Sequence, residues 1–204
     1  MSRVAVSRRS IGARPNPETS EAILDAAADL LQRKGLKGLT TDAIAREARA
    51  SKTTLYRWWP NRGALLLAIY VRAKGESRQE DTGSLVEDVA RTYRRVFDSW
   101  RKEGNLFSLI IAEAQHDDGV AQALGQFRQD RVTDWLPTLK RARSRGELQE
   151  GADLDALAES IVAHAWFYLL TKRLDADARS LAIKVVGPWL NNQPTAANCE
   201  RSTR

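Results

Sequence analysis

Residues 51–60 read Ser-Lys-Thr-Thr-Leu-Tyr-Arg-Trp-Trp-Pro, which packs hydroxyl, ammonium, guanidinium and aromatic groups into one short stretch. At about 100° per residue, Leu55 and Trp59 share one side of a helix and Thr53 and Arg57 occupy the opposite side. Lys52, Thr54 and Tyr56 fall on the flanks. A short helix with an apolar back and a front of hydrogen-bond donors suits the DNA major groove, where such groups reach base edges and phosphate oxygens. Ser51 suits its N-cap, and Pro60, which has no N–H to donate, stops it. Thr40 suits the cap of a preceding short helix, in which Ile44 and Ala48 share an inward face. The two helices are joined by a tight turn at Arg49 and Ala50.

Chemistry of other kinds is scarce. The chain has two histidines and one cysteine. His116-Asp117-Asp118 reads as a cap and turn at a helix end rather than a metal site, and His164, set among apolar residues, reads as a hydrogen-bonded core or pocket residue. No phosphate-cradling glycine loop, nucleophile elbow or Cys/His ligand spacing appears, so no catalytic residue, metal or cofactor is expected. Cys199 has no second cysteine to pair with, which points to a reducing cytoplasm. Residues 1–14 are polar and basic without an apolar core of a signal peptide, and no apolar run approaches the ~18 residues of a membrane span.

These residues need elements to position them. Asn16 and Pro17 suit the N-cap and first position of an opening helix, and Gly35 supplies its stop. Asn61 caps a fourth helix running to about residue 78. Beyond the Asp81-Thr82-Gly83-Ser84 break, Leu85, Val86, Val89, Tyr93, Val96, Phe97 and Trp100 recur at helical spacing. Leu106 to Ala112 is apolar almost all round and predicts a buried helix. Val120, Leu124, Phe127, Val132, Trp135 and Leu139 mark a longer helix, with a kink expected at Pro137. Asp153 to Lys172 carries one apolar stripe through Leu154, Leu157, Ile161, Ala165 and Leu169, and a second side with Ala163, Trp166, Phe167 and Leu170. Two apolar faces require two partners. Leu181, Ala182, Val185, Val186 and Trp189 continue the pattern on a last helix. No segment sustains period-two alternation, so the chain is read as all-α.

Charge divides the chain unevenly. Of the net +6, residues 1–75 hold 14 Lys/Arg against 6 Asp/Glu, whereas residues 76–204 hold 18 against 20. The cationic excess therefore surrounds the candidate helix-turn-helix, as binding of a polyanion requires. The expected organisation is a basic disordered arm over 1–16, a helix-turn-helix domain over 17–75, a helical domain over 76–191 and a polar tail over 192–204. The arm, with Arg3, Arg8, Arg9 and Arg14, can lie along phosphates or in a minor groove, or can simply aid solubility.

From about Pro17 to Lys74 the sequence resembles the DNA-binding domain of the tetracycline repressor (TetR) family of transcriptional regulators. The carrying residues are Ile23-Leu24-Asp25-Ala26-Ala27 and Leu30-Leu31 before Gly35, then Ile44-Ala45, Ser51-Lys52-Thr53-Thr54-Leu55-Tyr56, Trp59-Pro60-Asn61-Arg62 and Ala64-Leu65-Leu66. The chain departs from the family in the turn, where Arg49 stands at a usual glycine and Ala50 at a usual valine-like residue. The resemblance implies a three-helix DNA-binding domain followed by a helical effector-binding and dimerisation domain. It places base contacts on Lys52, Thr53 and Thr54, and phosphate contacts on Thr40, Tyr56, Trp58 and Arg62; the helix geometry adds Ser51 and Arg57. It further implies a homodimer built from the last two helices, double-stranded DNA with a near-palindromic operator, and an apolar cavity for a small-molecule effector. Candidate cavity residues are Trp100, Phe107, Ile110, Ile111, Trp135 and Trp166, although packing is the default role of each. A ligand-released repressor is the expectation. An architectural DNA-binding protein without ligand control and a small helical enzyme remain as alternatives.

Overall fold

The computed structural model describes residues 17–74, 81–103 and 106–191. The readings of the basic arm, the polar tail, Asn16 and Cys199 lie outside the described residues. Within them the chain forms α1 (Pro17–Gly38), α2 (Thr41–Glu47), α3 (Lys52–Trp58), α4 (Arg62–Lys74), α5 (Leu85–Glu103), α6 (Leu106–Glu113), α7 (Asp118–Ser144), α8 (Leu154–Leu170) and α9 (Ala178–Val186), ending in a 3-10 turn, Gly187–Trp189. No helix among them is long and apolar enough to cross a membrane. The described chain is all-α with an isolated bridge between Leu148 and Leu190, and it divides into two compact units between Ile69 and Tyr70, inside α4.

In the first unit α1, α2 and α3 pack on one another around Ile23, Ala27, Leu30, Ile44 and Leu55, all buried. Their spacing on each helix is what brings one apolar stripe from each to a common centre. Gly35 adopts φ 64° and ψ −172°, a non-helical conformation that a residue without Cβ reaches freely, so the first run of helix stops there as expected and a short helical turn follows to Gly38. On the outer side, Arg33 bridges Asp29 and Glu47 and so links α1 to α2.

The second unit is built on the contacts of α5 with α9 and of α7 with α8. The apolar stripe expected of α5 is buried at Leu85, Val89, Tyr93, Phe97 and Trp100. Tyr93 crosses the core to donate its hydroxyl to the Ile161 carbonyl of α8 at 2.9 Å, and burial drives its pKa far above the usual phenol range. The N-terminus of α5 is held from a distance: Glu147 Oε2 accepts from the Leu85 amide at 2.7 Å, and buried Asp88 accepts from the Thr82 amide and hydroxyl. Arg145 joins this cluster through Glu147 and Asp81. Asp117 caps α7 through the Val120 amide, so the His116-Asp117-Asp118 run does serve as cap and turn.

One expectation is corrected. The α6 helix is not buried all round: Leu106, Phe107 and Ile110 are covered, whereas Leu109 is 43% exposed, because α6 lies against α7 on one face only. The α4 helix is described as far as Lys74, and the rest of its expected reach to residue 78 lies outside the described residues. The α7 helix continues through Pro137 to Ser144.

Candidate functional site

Local sequence explains how α3 is presented. Thr40 accepts a hydrogen bond from the Ala43 amide at 3.2 Å and begins α2. At its end, the Ala50 amide bonds the Ala45 carbonyl and the Arg49 amide bonds the Arg46 carbonyl, with Arg49 at φ 51°. This is the double bond pattern of a Schellman ending, which places its residue after the cap in the left-handed region. Glycine is the usual occupant; Arg49 adopts the conformation without it. The turn of the helix-turn-helix therefore has ordinary geometry on an unusual residue. Ser51 then accepts from the Thr54 amide at 3.0 Å and starts α3, and Asn61 accepts from the Ala64 amide at 2.8 Å and starts α4.

On α3, Leu55 and Trp59 are buried and hold the helix to the unit. Ser51, Lys52, Thr53, Tyr56 and Arg57 are exposed together with Thr40, while Thr54, Trp58 and Arg62 are half-buried. The nine residues with proposed DNA contacts thus lie on α3, its cap and the starts of its neighbours. Two contacts pre-order the face. Tyr56 Oη lies 3.3 Å from Thr41 Oγ1. Lys52 Nζ sits 2.5 Å from Asp42 Oδ1 in an exposed ion pair, and hydrogen bonding to Asp42 raises the Lys52 pKa. Lys52 stays cationic, but Asp42 competes with any anion for it. The sequence reading missed Asp42, which stands ten positions away on another helix.

A cavity of about 100 Å³, half-enclosed, lies in the second unit. Trp100, Phe107, Trp135 and Trp166 line it, as do Tyr70, Tyr93, Phe127, Arg131 and Asp134, none of which the sequence reading proposed. Ile110 and Ile111 do not: Ile110 is wholly buried in packing and Ile111 sits half-exposed on α6. Phe107 is the hub. Its ring stacks on Tyr70 at 4.6 Å and on Trp100 at 5.9 Å, and meets Trp166 edge-on at 5.3 Å, distances at which offset and T-shaped pairs are favourable. The Trp100 indole donates to the Tyr70 hydroxyl at 2.8 Å. Phe127, Arg131, Asp134 and Trp135 recur at i, i+4, i+7 and i+8 of α7, a spacing that marks a single helix face. That periodicity was readable; that it bounds a void was not. His164 lies outside the lining, its ring 6.3 Å from Tyr93 and its buried Nε2 without a hydrogen-bond partner.

A capped helix-turn-helix with a polar outer helix, followed by a second helical unit containing an apolar cavity, defines a class of helix-turn-helix DNA-binding regulator. Residues 23–69 match the family model of bacterial regulatory proteins of the tetR family, and residues 79–185 match that of the tetracyclin repressor-like C-terminal domain. The chain is 34% identical over 163 residues to the HTH-type transcriptional regulator YdeS of Bacillus subtilis, covering 77% of this chain and 81% of that protein. It is 31% identical over 163 residues to the DNA-binding transcriptional repressor TetR of Mycobacteroides abscessus, covering 76% and 81%. Among solved structures, Salmonella enterica GusR superposes with a TM-score of 0.62 at 21% identity, over 83% of this chain and 94% of that one. The SmeT–triclosan complex does so at 0.59 and 19%, over 86% and 93%. These two likenesses concern the fold. The chain belongs to the TetR family and is a DNA-binding transcriptional regulator.

Proposed function

We propose that the protein acts in the cytoplasm as a homodimeric repressor, released from a near-palindromic operator by a small apolar or aromatic effector. The observation that carries this reading is the exposed polar face of α3, anchored by buried Leu55 and Trp59. Lys52, Thr53 and Thr54 read base edges. Thr40, Ser51, Tyr56, Arg57, Trp58 and Arg62 hold phosphates and set the register. A repressor among the relatives supports the direction of regulation, and the aromatic cavity supports a ligand.

Dimerisation has its own support. Ala163, Phe167 and Leu170 are exposed along one side of α8, and Ile183 is exposed on α9; Phe167, Leu170 and Ile183 each leave about half their surface open. Such an apolar row is costly in water and suits a partner copy. The two helices contribute twice to a four-helix interface, which brings two copies of α3 into one symmetric assembly. Effector and DNA are then linked through the dimer's conformational equilibrium, and by reciprocity DNA weakens effector binding by the same factor.

Selection of bound sites from random DNA with the full-length protein tests the reading. Enrichment of a near-palindrome is the expected result. Retention of DNA irrespective of sequence would favour an architectural role and overturn it.

A further inference from the structure

The cavity lining is mostly apolar and aromatic, with Thr92 and one charged pair as the exceptions. Arg131 and Asp134 both line it, and they form an ion pair in which Arg131 Nη2 lies 3.0 Å from Asp134 Oδ2. The Arg131 guanidinium also sits 5.1 Å over the Phe127 ring. These two contacts orient the guanidinium between a carboxylate and an aromatic face, while the Arg131 and Asp134 side chains stay 38% and 50% exposed. The Nε–H is left over: it is buried and has no acceptor. A buried donor without a partner is destabilising, and the cost is recovered by whatever supplies an acceptor.

Charge and size narrow what can do so. The single positive and single negative charge of the lining cancel, so a fully charged ligand finds no net counter-charge and would lose its hydration for little return. A neutral oxygen asks only for the spare N–H. The cavity of about 100 Å³ is somewhat smaller than the roughly 150 Å³ space that accepts a benzene ring, which limits the occupant to one ring with modest adjustment of the walls. The walls themselves, Tyr70, Trp100, Phe107 and Trp166, present flat faces and edges suited to stacking.

We propose that this cavity is a site for a neutral, single-ring aromatic compound bearing one acceptor oxygen, with the ring among the aromatic side chains and the oxygen on the Arg131 Nε–H. Asp134 is a positioning residue: it holds the guanidinium in place and cancels its charge, so that carboxylates are refused. This rests on the effector reading of the cavity but names the ligand class and the residues that choose it.

The test uses full-length protein and four probes, acetophenone, toluene, benzoate and 2-acetonaphthone, followed by calorimetry and tryptophan fluorescence. Acetophenone is expected to bind at least about ten-fold more tightly than toluene, the usual advantage of one hydrogen bond to a charged donor. Benzoate and 2-acetonaphthone are expected to bind more weakly than acetophenone. Arg131→Met, which keeps an unbranched apolar stem, should erase the preference, so that acetophenone and toluene bind alike. Asp134→Asn should leave the lining with a net positive charge and reverse the order, so that benzoate binds more tightly than acetophenone. A purely structural ion pair would not produce that reversal. Equal binding of acetophenone and toluene, an unchanged preference in Arg131→Met, or failure of all four probes to bind would overturn the proposal. The effector reading is judged separately: if acetophenone binds with the expected pattern but leaves operator affinity unchanged, the ligand class stands and the release mechanism fails.

Discussion

At the scale of single residues, α3 joins contacts that read sequence with contacts that only hold. Lys52→Ala and Thr53→Ala are each expected to cost about 1–3 kcal/mol at the preferred site and to relax base preference there, measured by competition among operator variants. Arg62→Ala should weaken all sequences alike and reduce the salt dependence of binding, whereas Tyr56→Phe should weaken binding without changing the salt slope. Full affinity and selectivity in every variant would remove α3 from the interface. The turn permits a second test. Arg49 stands at φ 51°, a conformation that costs a side-chain-bearing residue about 1–2 kcal/mol, partly offset by the greater entropy glycine loses on folding. Arg49→Gly is therefore expected to stabilise the fold by about 0.5 kcal/mol in denaturant melts. A loss of DNA affinity in the same variant would identify the guanidinium as a phosphate contact and explain why an arginine occupies the position.

At the scale of elements, α8 is the clearest case of two tasks on one helix. Its inner stripe, including Leu157, Ile161 and Ala165, is buried, and its outer row of Ala163, Phe167 and Leu170 is exposed. Trp166 belongs to neither outer row nor full burial; half-buried, it turns into the cavity. Charge placed at Trp166 or at buried Val185 would therefore damage the unit itself rather than test an interface. Phe167→Glu and Ile183→Glu are the informative changes. Each should leave helix content intact, shift the sedimenting species from dimer to monomer and remove most operator affinity, since one half-site supplies only part of it. A wild-type monomer at micromolar concentration would count against the four-helix interface. On α6, Ile110 is sealed in packing away from the cavity, so enlarging it would overpack the core without narrowing the void.

At the scale of the whole molecule, charge and titration act on different properties. The cationic excess of residues 1–75 raises affinity for any DNA, and this share falls steeply with salt. A symmetric dimer adds geometry: half-sites separated by roughly 34–36 Å, or a multiple of that turn length, are the expected operator spacing. Stability has a pH dependence with a named source. Burial, and then the nearby Lys184 charge, lower the His164 pKa below its ordinary value of 6.5. The unfolded chain therefore takes up a proton at His164 more readily than the folded one. The contribution is fully present above about pH 6.5 and is lost as pH falls below it. Denaturant midpoints should drop between about pH 8 and about pH 5, and His164→Gln should flatten that drop. An unchanged slope in the variant would mean that other groups set the acid limit.

Much of this molecule is decided locally. The caps at Thr40, Ser51 and Asn61 and the proline stop at Pro60 act over three or four residues, so the helix-turn-helix and the outward face of α3 follow from nearest-neighbour chemistry. The same is true of the buried stripes of α5 and α8, whose period is written in the chain. What lay beyond the sequence depended on residues far apart. The Asp42–Lys52 pair joins two helices, Glu147 caps α5 from 62 positions away, and Leu109 is exposed because only one side of α6 meets a neighbour. The cavity is the strongest instance. Aromatic residues at helical spacing describe a packed core and a lined void equally well, since periodicity specifies which face turns inward but not how closely opposing faces approach. Only the tertiary packing of α5, α7 and α8 leaves a gap, places Arg131 and Asp134 at its edge and excludes Ile110 and Ile111 from it.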